Sequence, residues 1–478
     1  MLTAHGRVWV PHNRWDLAPP DGGHPPRVAV VVPYFEQPDS LLRMYAALAA
    51  TDRRSMAGLE IVVVDDGSRV APPNPPSALD VPVRILRQPD RGCRPGAARN
   101  LGVAATEADV VVFLDPDTLP EPATVGCLAR WPATVADAIV VGRRRHAQLG
   151  GWSAAAVTAW LTGSAPAPAV EPDPEWLSAG YRQHRNLLDA DDRAYRFVIS
   201  GVMACDRALF DDIGGFAPER DEYGGEDWEL AARAFAAGAV LVHEPAAVAW
   251  HDEPDWSARA DSDPTAKTTE TMWLAERIPV SGSRGRGIRH AVSAAVITAA
   301  LRGSDPLAAW VATLDTLVTE LPDARVLLAD DVPARIAAYV AADSRFVVRC
   351  DSPVRPPAPV TVAVHRPIEA DPGAIAALVH EVVTTDLGRL DVTDEHALLL
   401  RVESTRACAR ARRAVAAGAA TDEVAVVAEL FGLRTVEAAA VGVRLLAADL
   451  DLAAWFSRNV TSATERDRPE SARRLGGF

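Results

Sequence analysis

Four short apolar runs constrain the fold of this chain more than any other feature: Val28–Val32, Leu59–Val64, Val81–Leu86 and Asp109–Leu114. The first has no polar interruption and suits a strand buried on both faces, as in a parallel sheet. Asp39–Ala50 follows it with the helical spacing of Leu41, Leu42, Tyr45 and Leu48, and either Asp39 or Ser40 is available as its cap. Gly96–Ala105 reads as a second helix. The order strand, helix, strand, strand, helix, strand predicts an α/β doubly wound domain. Such sheets bind ligands beyond the carboxyl ends of their strands. The runs here end at Pro33, at Asp65-Asp66-Gly67-Ser68 and at Asp115-Pro116-Asp117.

At 478 residues the chain exceeds what one core usually supports. Residues 1–26 finish in a Pro/Gly-rich stretch and read as an N-terminal extension ahead of a domain over 27–280. Ser281–Gly287 is rich in Ser, Gly and Arg, which sets a linker at 281–289 and a second α/β domain over 290–478. That second half faintly repeats the first. Ala295–Thr298, a helix opened by Asp305-Pro306-Leu307, and Arg325–Ala329 running into Asp330-Asp331 echo the start of the first domain. The interval from Pro33 to Thr298 equals that from Asp65 to Asp330. Val402–Arg413 echoes Ile199–Phe210, with Cys408 in the place of Cys205.

A formal charge of −15 argues against non-specific binding to nucleic acid or anionic lipid. The five cysteines form no C-x-x-C pair and read as the reduced thiols of a cytosolic protein. Met1–Asp16 has no apolar core of signal-peptide length, and Ala291–Leu301 is too short to span a bilayer. The expectation is a cytoplasmic protein with no integral membrane segment.

Five strings follow these elements in order: Pro33-Tyr34-Phe35-Glu36, Asp65-Asp66-Gly67-Ser68, Arg99-Asn100 within Gly96–Gly102, Asp115-Pro116-Asp117, and Gly224-Gly225-Glu226-Asp227-Trp228. Together they resemble the family 2 glycosyltransferases with the GT-A fold, over roughly residues 27–255. The last string resembles the branch of galactosyl- and N-acetylhexosaminyltransferases and chondroitin-type polymerases. On this resemblance the second half is a degenerate GT-A-like copy. It has no Asp-x-Asp at a strand end, and Thr421-Asp422-Glu423 stands where a Glu-Asp pair would fall.

The resemblance implies roles that suit the chemistry of these side chains. Pro33 and Phe35 pack against a nucleotide base, and Asp66 accepts the uracil imide proton. Arg99 reaches toward the diphosphate and Asp115 faces the ribose or a metal-bound water. Asp117 binds Mn²⁺ or Mg²⁺, for which carboxylate oxygens are hard ligands. His251, in Trp250-His251-Asp252, completes the metal site, with His243 the competing candidate. Asp227 is the general base, because an acceptor hydroxyl is a poor nucleophile until a positioned carboxylate takes its proton. Glu226 and Trp228 contact the acceptor. The implied donor is UDP-galactose, UDP-GlcNAc or UDP-GalNAc, and the acceptor a glycan, peptide or small molecule. The alternative function is a non-catalytic glycan- or nucleotide-sugar-binding pseudo-transferase. One departure is Glu36-Gln37, where the family usually carries Asn-Glu.

Overall fold

The computed structural model describes residues 1–457 apart from 21–22, 223, 253–263, 286, 302–305, 330, 349–357 and 448–449. The chain divides into two units, one of residues 1–292 and 405–431, the other of residues 293–404 and 432–478.

The strands of the first unit are β1 (Leu2–Ala4), β2 (Arg7–Trp9), β3 (Arg27–Tyr34), β4 (Gly58–Asp65), β5 (Val83–Arg87), β6 (Val110–Leu114), β7 (Thr118–Pro120), β8 (Ala138–Ala147), β9 (Val170–Glu171), β10 (Val202–Asp206) and β11 (Val240–Asp252). Its main sheet runs β5-β4-β3-β6-β10-β8-β11-β7, with β9 on the side of β8. The first four strands of this order are parallel, as the apolar runs predicted. β10 then lies antiparallel between β6 and β8, so the sheet is mixed. β8 and β11 are parallel, and β7 pairs antiparallel with the end of β11.

The uninterrupted valine runs have a direct physical cause. Val30, Val32, Ile61, Val63, Val110 and Val112 pack into a core on one face of the sheet. Their neighbours Val31, Val62, Val64, Val111 and Phe113 pack into a separate core on the other. Each such side chain contributes about 1.5–3 kcal/mol by leaving water, so both faces demand apolar residues.

Three details differ from the sequence reading. The first helix is Pro38–Ala49, with Gln37 at its cap and no side-chain capping bond. Pro38, pre-set in φ and without an N–H to satisfy, starts it instead of Asp39 or Ser40. The segment read as an N-terminal extension packs on the domain that follows it: β1 and β2 form a hairpin, and Val8 and Val10 join the core. Asn13 fixes this segment, donating to the carbonyls of Leu187 and Leu241 and accepting from the Leu241 N–H. Residues 405–431, assigned by sequence to the C-terminal domain, belong to the first unit.

The second unit has β12 (Ala295–Ala299), β13 (Ala324–Leu328), β14 (Phe346–Val348), β15 (Val360–Val364), β16 (Ile368–Ala370), β17 (Arg389–Asp394), β18 (Ala397–Ser404), β19 (Leu433–Glu437) and β20 (Val443–Leu445). Its sheet order is β14-β13-β12-β15-β18-β17-β19. Strand by strand, this reproduces β5-β4-β3-β6-β10-β8-β11, including each parallel or antiparallel sense. The antiparallel pair β16-β20 matches β7 and the end of β11. Val110–Leu114, Thr118–Pro120 and helix Thr124–Thr134 recur at one constant spacing as Val360–Val364, Ile368–Ala370 and helix Ala374–Thr384. The second unit is therefore a structural repeat of the first.

Register corrects two parts of the sequence alignment, the first being that Val28 answers to Ala295, so that Pro33 answers to Ala300 and not to Thr298. Val110 pairs with both Val28 and Asp206, and Val360 pairs with both Ala295 and Ser404. Asp206 and Ser404 are thus equivalent, and Cys408 lies inside helix Thr405–Ala416, not in the strand place of Cys205. Asp330, half of the echoed acidic pair, lies outside the described residues.

Candidate active site

The ends of β3, β4, β6 and β11 and the start of helix Glu226–Ala236 open on a cleft of about 500 Å³ in the first unit. Pro33, Phe35, Asp66, Arg99, Asp115, Asp117, Glu226, Asp227, Trp228 and His251 all line it. Six separate stretches of sequence thus converge on one cavity.

At one side, Phe35 is largely exposed beside Pro33, leaving an open aromatic face. Asp66 is buried and fixed: one oxygen accepts from Gln88 Nε2 at 2.5 Å and the other from the Arg94 N–H at 2.8 Å. Gly67 beside it holds φ +89°, and a Cβ there would sit 2.3 Å from the Asp90 nitrogen, so the turn requires glycine.

Asp115 and Asp117 follow the fully buried β6. Arg99, 2% exposed, donates from Nη2 to Asp115 Oδ1 at 2.7 Å and from Nη1 to Glu226 Oε1 at 3.2 Å. The guanidinium is therefore held between two carboxylates from distant elements. This arrangement suits a residue that positions Asp115 and Glu226 better than a cation kept free for a diphosphate. Gly201 lets this corner close: a Cβ there would lie 2.7 Å from Asp115 Oδ2.

Asp117 and His251 face each other because β7 pairs with the end of β11, bringing Thr118 opposite His251. His251 Nε2 lies 3.7 Å from Asp117 Oδ1. Burial, and then the nearby charge of Asp115, push the Asp117 carboxyl well above the ordinary range. A half-buried carboxylate beside a second one and an imidazole is a donor set that a divalent cation would stabilise. Among the described residues no three His, Cys, Asp or Glu side chains cluster as a complete metal site. The protein would supply two ligands, leaving the other positions to ligand oxygens and water, which is how Mg²⁺-type sites with phosphates are commonly built. His243 does not reach the cleft. It is buried against Tyr181, ring on ring at 3.6 Å, with Nδ1 2.9 Å from Asn186 Oδ1. Burial pushes its pKa down to about 4.

Gly224 and Gly225 hold φ of +92° and +88°, turning the chain into helix Glu226–Ala236. Asp227 is half-buried in the first turn. Its Oδ1 accepts from the Trp228 N–H at 2.8 Å and its Oδ2 from the Ser200 N–H at 3.4 Å. Burial first, and then the charge of Glu226, push its carboxyl up to about 7. A carboxylate with that affinity for protons is matched to accepting one at neutral pH.

Among the lining residues that sequence reasoning missed are Arg144, Trp176, Lys267 and Glu270. Alternation along β8 would have found Arg144. Its neighbours turn elsewhere, Arg143 to Asp173 and Arg145 over the Trp250 ring. Lys267 donates to Glu270 at 2.9 Å and stands 5.4 Å from the Trp228 ring centre. Both lie on helix Pro264–Arg277, beyond the last recognisable string.

In the second unit the turn after β15 is His365-Arg366-Pro367, where the turn after β6 is Asp115-Pro116-Asp117. Leu445 pairs with Ile368 as His251 pairs with Thr118. Asp422, in the string read as a possible remnant of the acidic pair, caps helix Glu423–Leu430 through both carboxylate oxygens.

Residues 29–214 match the family model for glycosyl transferase family 2, and residues 189–247 match that for the N-terminal domain of galactosyltransferase. The chain is 29% identical to the pre-mycofactocin glycosyltransferase of Mycobacterium tuberculosis, over 50% of this chain and 47% of that protein. It is 24% identical to the chondroitin synthase of Pasteurella multocida, over 53% of this chain and 27% of that one. The chain thus spans about half the length of the first relative and about a quarter of the second. A solved structure of GalNAc-T7 with UDP, GalNAc and Mn²⁺ is 18% identical over 48% of this chain and 44% of its own, with a TM-score of 0.35. The chain therefore carries, over residues 29–214 of its first unit, a sequence that matches glycosyl transferase family 2.

Proposed function

We propose that the first unit transfers a hexose or N-acetylhexosamine from a UDP-sugar to an acceptor hydroxyl, with inversion, in a metal-dependent single displacement. The observation that carries this reading is the facing pair Asp117 and His251 in the same cleft as Asp227. Phe35 and Pro33 receive the uracil ring and Asp66 accepts its imide proton. Asp117 and His251 hold Mn²⁺ or Mg²⁺, which when bound offsets the negative charge that grows on the departing UDP. Asp227 takes the proton of the acceptor hydroxyl as its oxygen attacks the anomeric carbon. Arg99 keeps Asp115 and Glu226 in place on either side, so neither must reorganise during the step. Trp228 gives the acceptor an apolar face, and Glu226 bonds one of its hydroxyls or one of the donor's.

The acceptor is a glycan, peptide or small molecule. The second unit, with proline and leucine at the positions of Asp117 and His251, is non-catalytic. No helix among the described residues is long and apolar enough to cross a membrane. A cytoplasmic enzyme that meets its acceptor in solution fits this reading. The test is a screen of UDP-sugars for metal-dependent UDP release by the purified full chain. Release from one donor class, abolished by chelation, supports the proposal. A folded protein that binds UDP-sugars yet releases UDP from none is a pseudo-transferase.

A further inference from the structure

Helices Thr405–Ala416 and Glu423–Leu430 leave β18 of the second unit and return to its β19, yet they pack within the first unit. In chain order they hold the place that helices Arg207–Ile213 and Glu226–Ala236 hold in the first repeat. Besides His12 and Asp137, they reach the far end of helix Glu226–Ala236, the element whose first turn carries Glu226 and Asp227.

The contacts are specific. Arg406 Nη1 donates to the carbonyls of Phe235 at 3.0 Å and Ala239 at 2.7 Å, and its guanidinium lies 4.1 Å from the centre of the Phe235 ring. Arg413 donates to the Ala237 carbonyl and to both carboxylate oxygens of Asp137. Two cations thus meet the carbonyl end of the helix, where its dipole is negative. Gly238 marks the point of closest approach: a Cβ there would lie 2.2 Å from Arg410 Cγ and 2.9 Å from the Arg406 carbonyl. Asp137, buried at φ +63°, accepts the Val240 N–H through its carbonyl and so ties the start of β8 to that of β11.

We propose that residues 405–431 are a clamp on the catalytic helix, and that Arg406 and Arg413 are positioning residues for transfer. The inference rests on the transferase reading for its catalytic consequence, but not for its structural one. The helix is a rod of about 16 Å. Holding its carbonyl end fixes where its first turn presents Asp227 to the acceptor.

The test uses the full chain and reads hydrogen exchange at the amides of 226–239 together with kcat and KM for the donor. Arg406→Met should raise exchange through the first two turns at 226–232 roughly tenfold. It should lower kcat roughly ten- to hundredfold with donor KM within about threefold. Arg406→Lys, which keeps a cation at the helix end, should recover most of both. Gly238→Ala, which pushes the clamp away without removing a charge, should reproduce the effect if Arg406→Met fails to fold. Wild-type exchange at 226–232 in a folded Arg406→Met or Gly238→Ala protein overturns the clamp. So does loss of thermal stability with kcat unchanged. If the wild-type chain releases no UDP from any donor, the transferase reading fails, and the exchange measurement alone decides the clamp.

Discussion

His251 Nε2 stands 3.7 Å from Asp117 Oδ1, and the pairing of β11 with β7 sets that separation. Two side chains more than a hundred residues apart are thereby held at the spacing of two ligands to one ion. Replacing His251 by Ala should raise the Mn²⁺ concentration needed for half-maximal UDP release. The rise should exceed the roughly 10–100-fold that loss of an outer-shell partner costs. Asp117→Asn should do the same or worse. Isothermal titration of Mn²⁺ in the presence of UDP checks both, and unchanged Mn²⁺ affinity in either variant would remove that residue from the metal site.

Asp227 gives a pH prediction with a definite sign. Burial raises its carboxyl to about 7 in the folded protein, so only above that pH is it a carboxylate able to accept a proton. The value of kcat/KM should therefore rise as pH increases through about 7 and fall below it. Asp227→Asn should bind UDP and Mn²⁺ normally and lose about 10²–10⁴-fold in kcat. Near-normal turnover in that variant would sink the base assignment. The stability effect runs the other way. A raised folded pKa means the native state holds a proton that the unfolded chain releases, so this group's contribution becomes unfavourable as pH rises from about 4 to about 7. At pH 8, Asp227→Asn should melt above the wild type.

What was legible in the sequence was local. A buried strand must be apolar on both faces, and the residues just past its end are free to be polar, so Asp66, Asp115 and Asp117 announced themselves. The paired glycines before Glu226 announced a turn, and the positive φ values of Gly224 and Gly225 give the reason. What stayed hidden depended on partners far along the chain. Arg99 looked like a cation awaiting a phosphate because neither Asp115 nor Glu226 is near it in sequence. The repeat showed through faintly because sheet register, not residue identity, carries it. Similarity alone placed Cys408 opposite Cys205, whereas register puts Glu403 there, five residues earlier. Helices 405–431 read as part of the second domain because nothing local marks Arg406 and Arg413 as contacts of the first unit.

Gly201 tests the donor side. A methyl there would meet Asp115 Oδ2 at 2.7 Å, closer than real Cβ atoms come, so Asp115 must swing away from Arg99. If Asp115 faces the ribose rather than a metal-bound water, Gly201→Ala should raise the donor KM and the Kd for UDP by about tenfold, the loss of one good polar contact. Circular dichroism should remain native, since the change is confined to one side chain at the cleft wall. UDP titration by fluorescence measures the effect. Wild-type UDP affinity would show that Asp115 does not touch the nucleotide.

Arg99 tests whether the site is held together by charge. It is buried, with Asp115 on one nitrogen and Glu226 on another. Removing one partner of a buried ionic network costs about 3–5 kcal/mol, because the remaining charges are left without compensation. Arg99→Met should therefore lower unfolding stability in urea by that order and also abolish transfer. Arg99→Lys is the sharper experiment. Lysine keeps the charge but is a single point on a flexible stem, so it cannot bond two carboxylates through separate nitrogens of a rigid fork. It should recover part of the stability and little of the kcat. Full recovery of turnover by lysine would mean that charge alone suffices and that the two-armed grip on Asp115 and Glu226 is incidental.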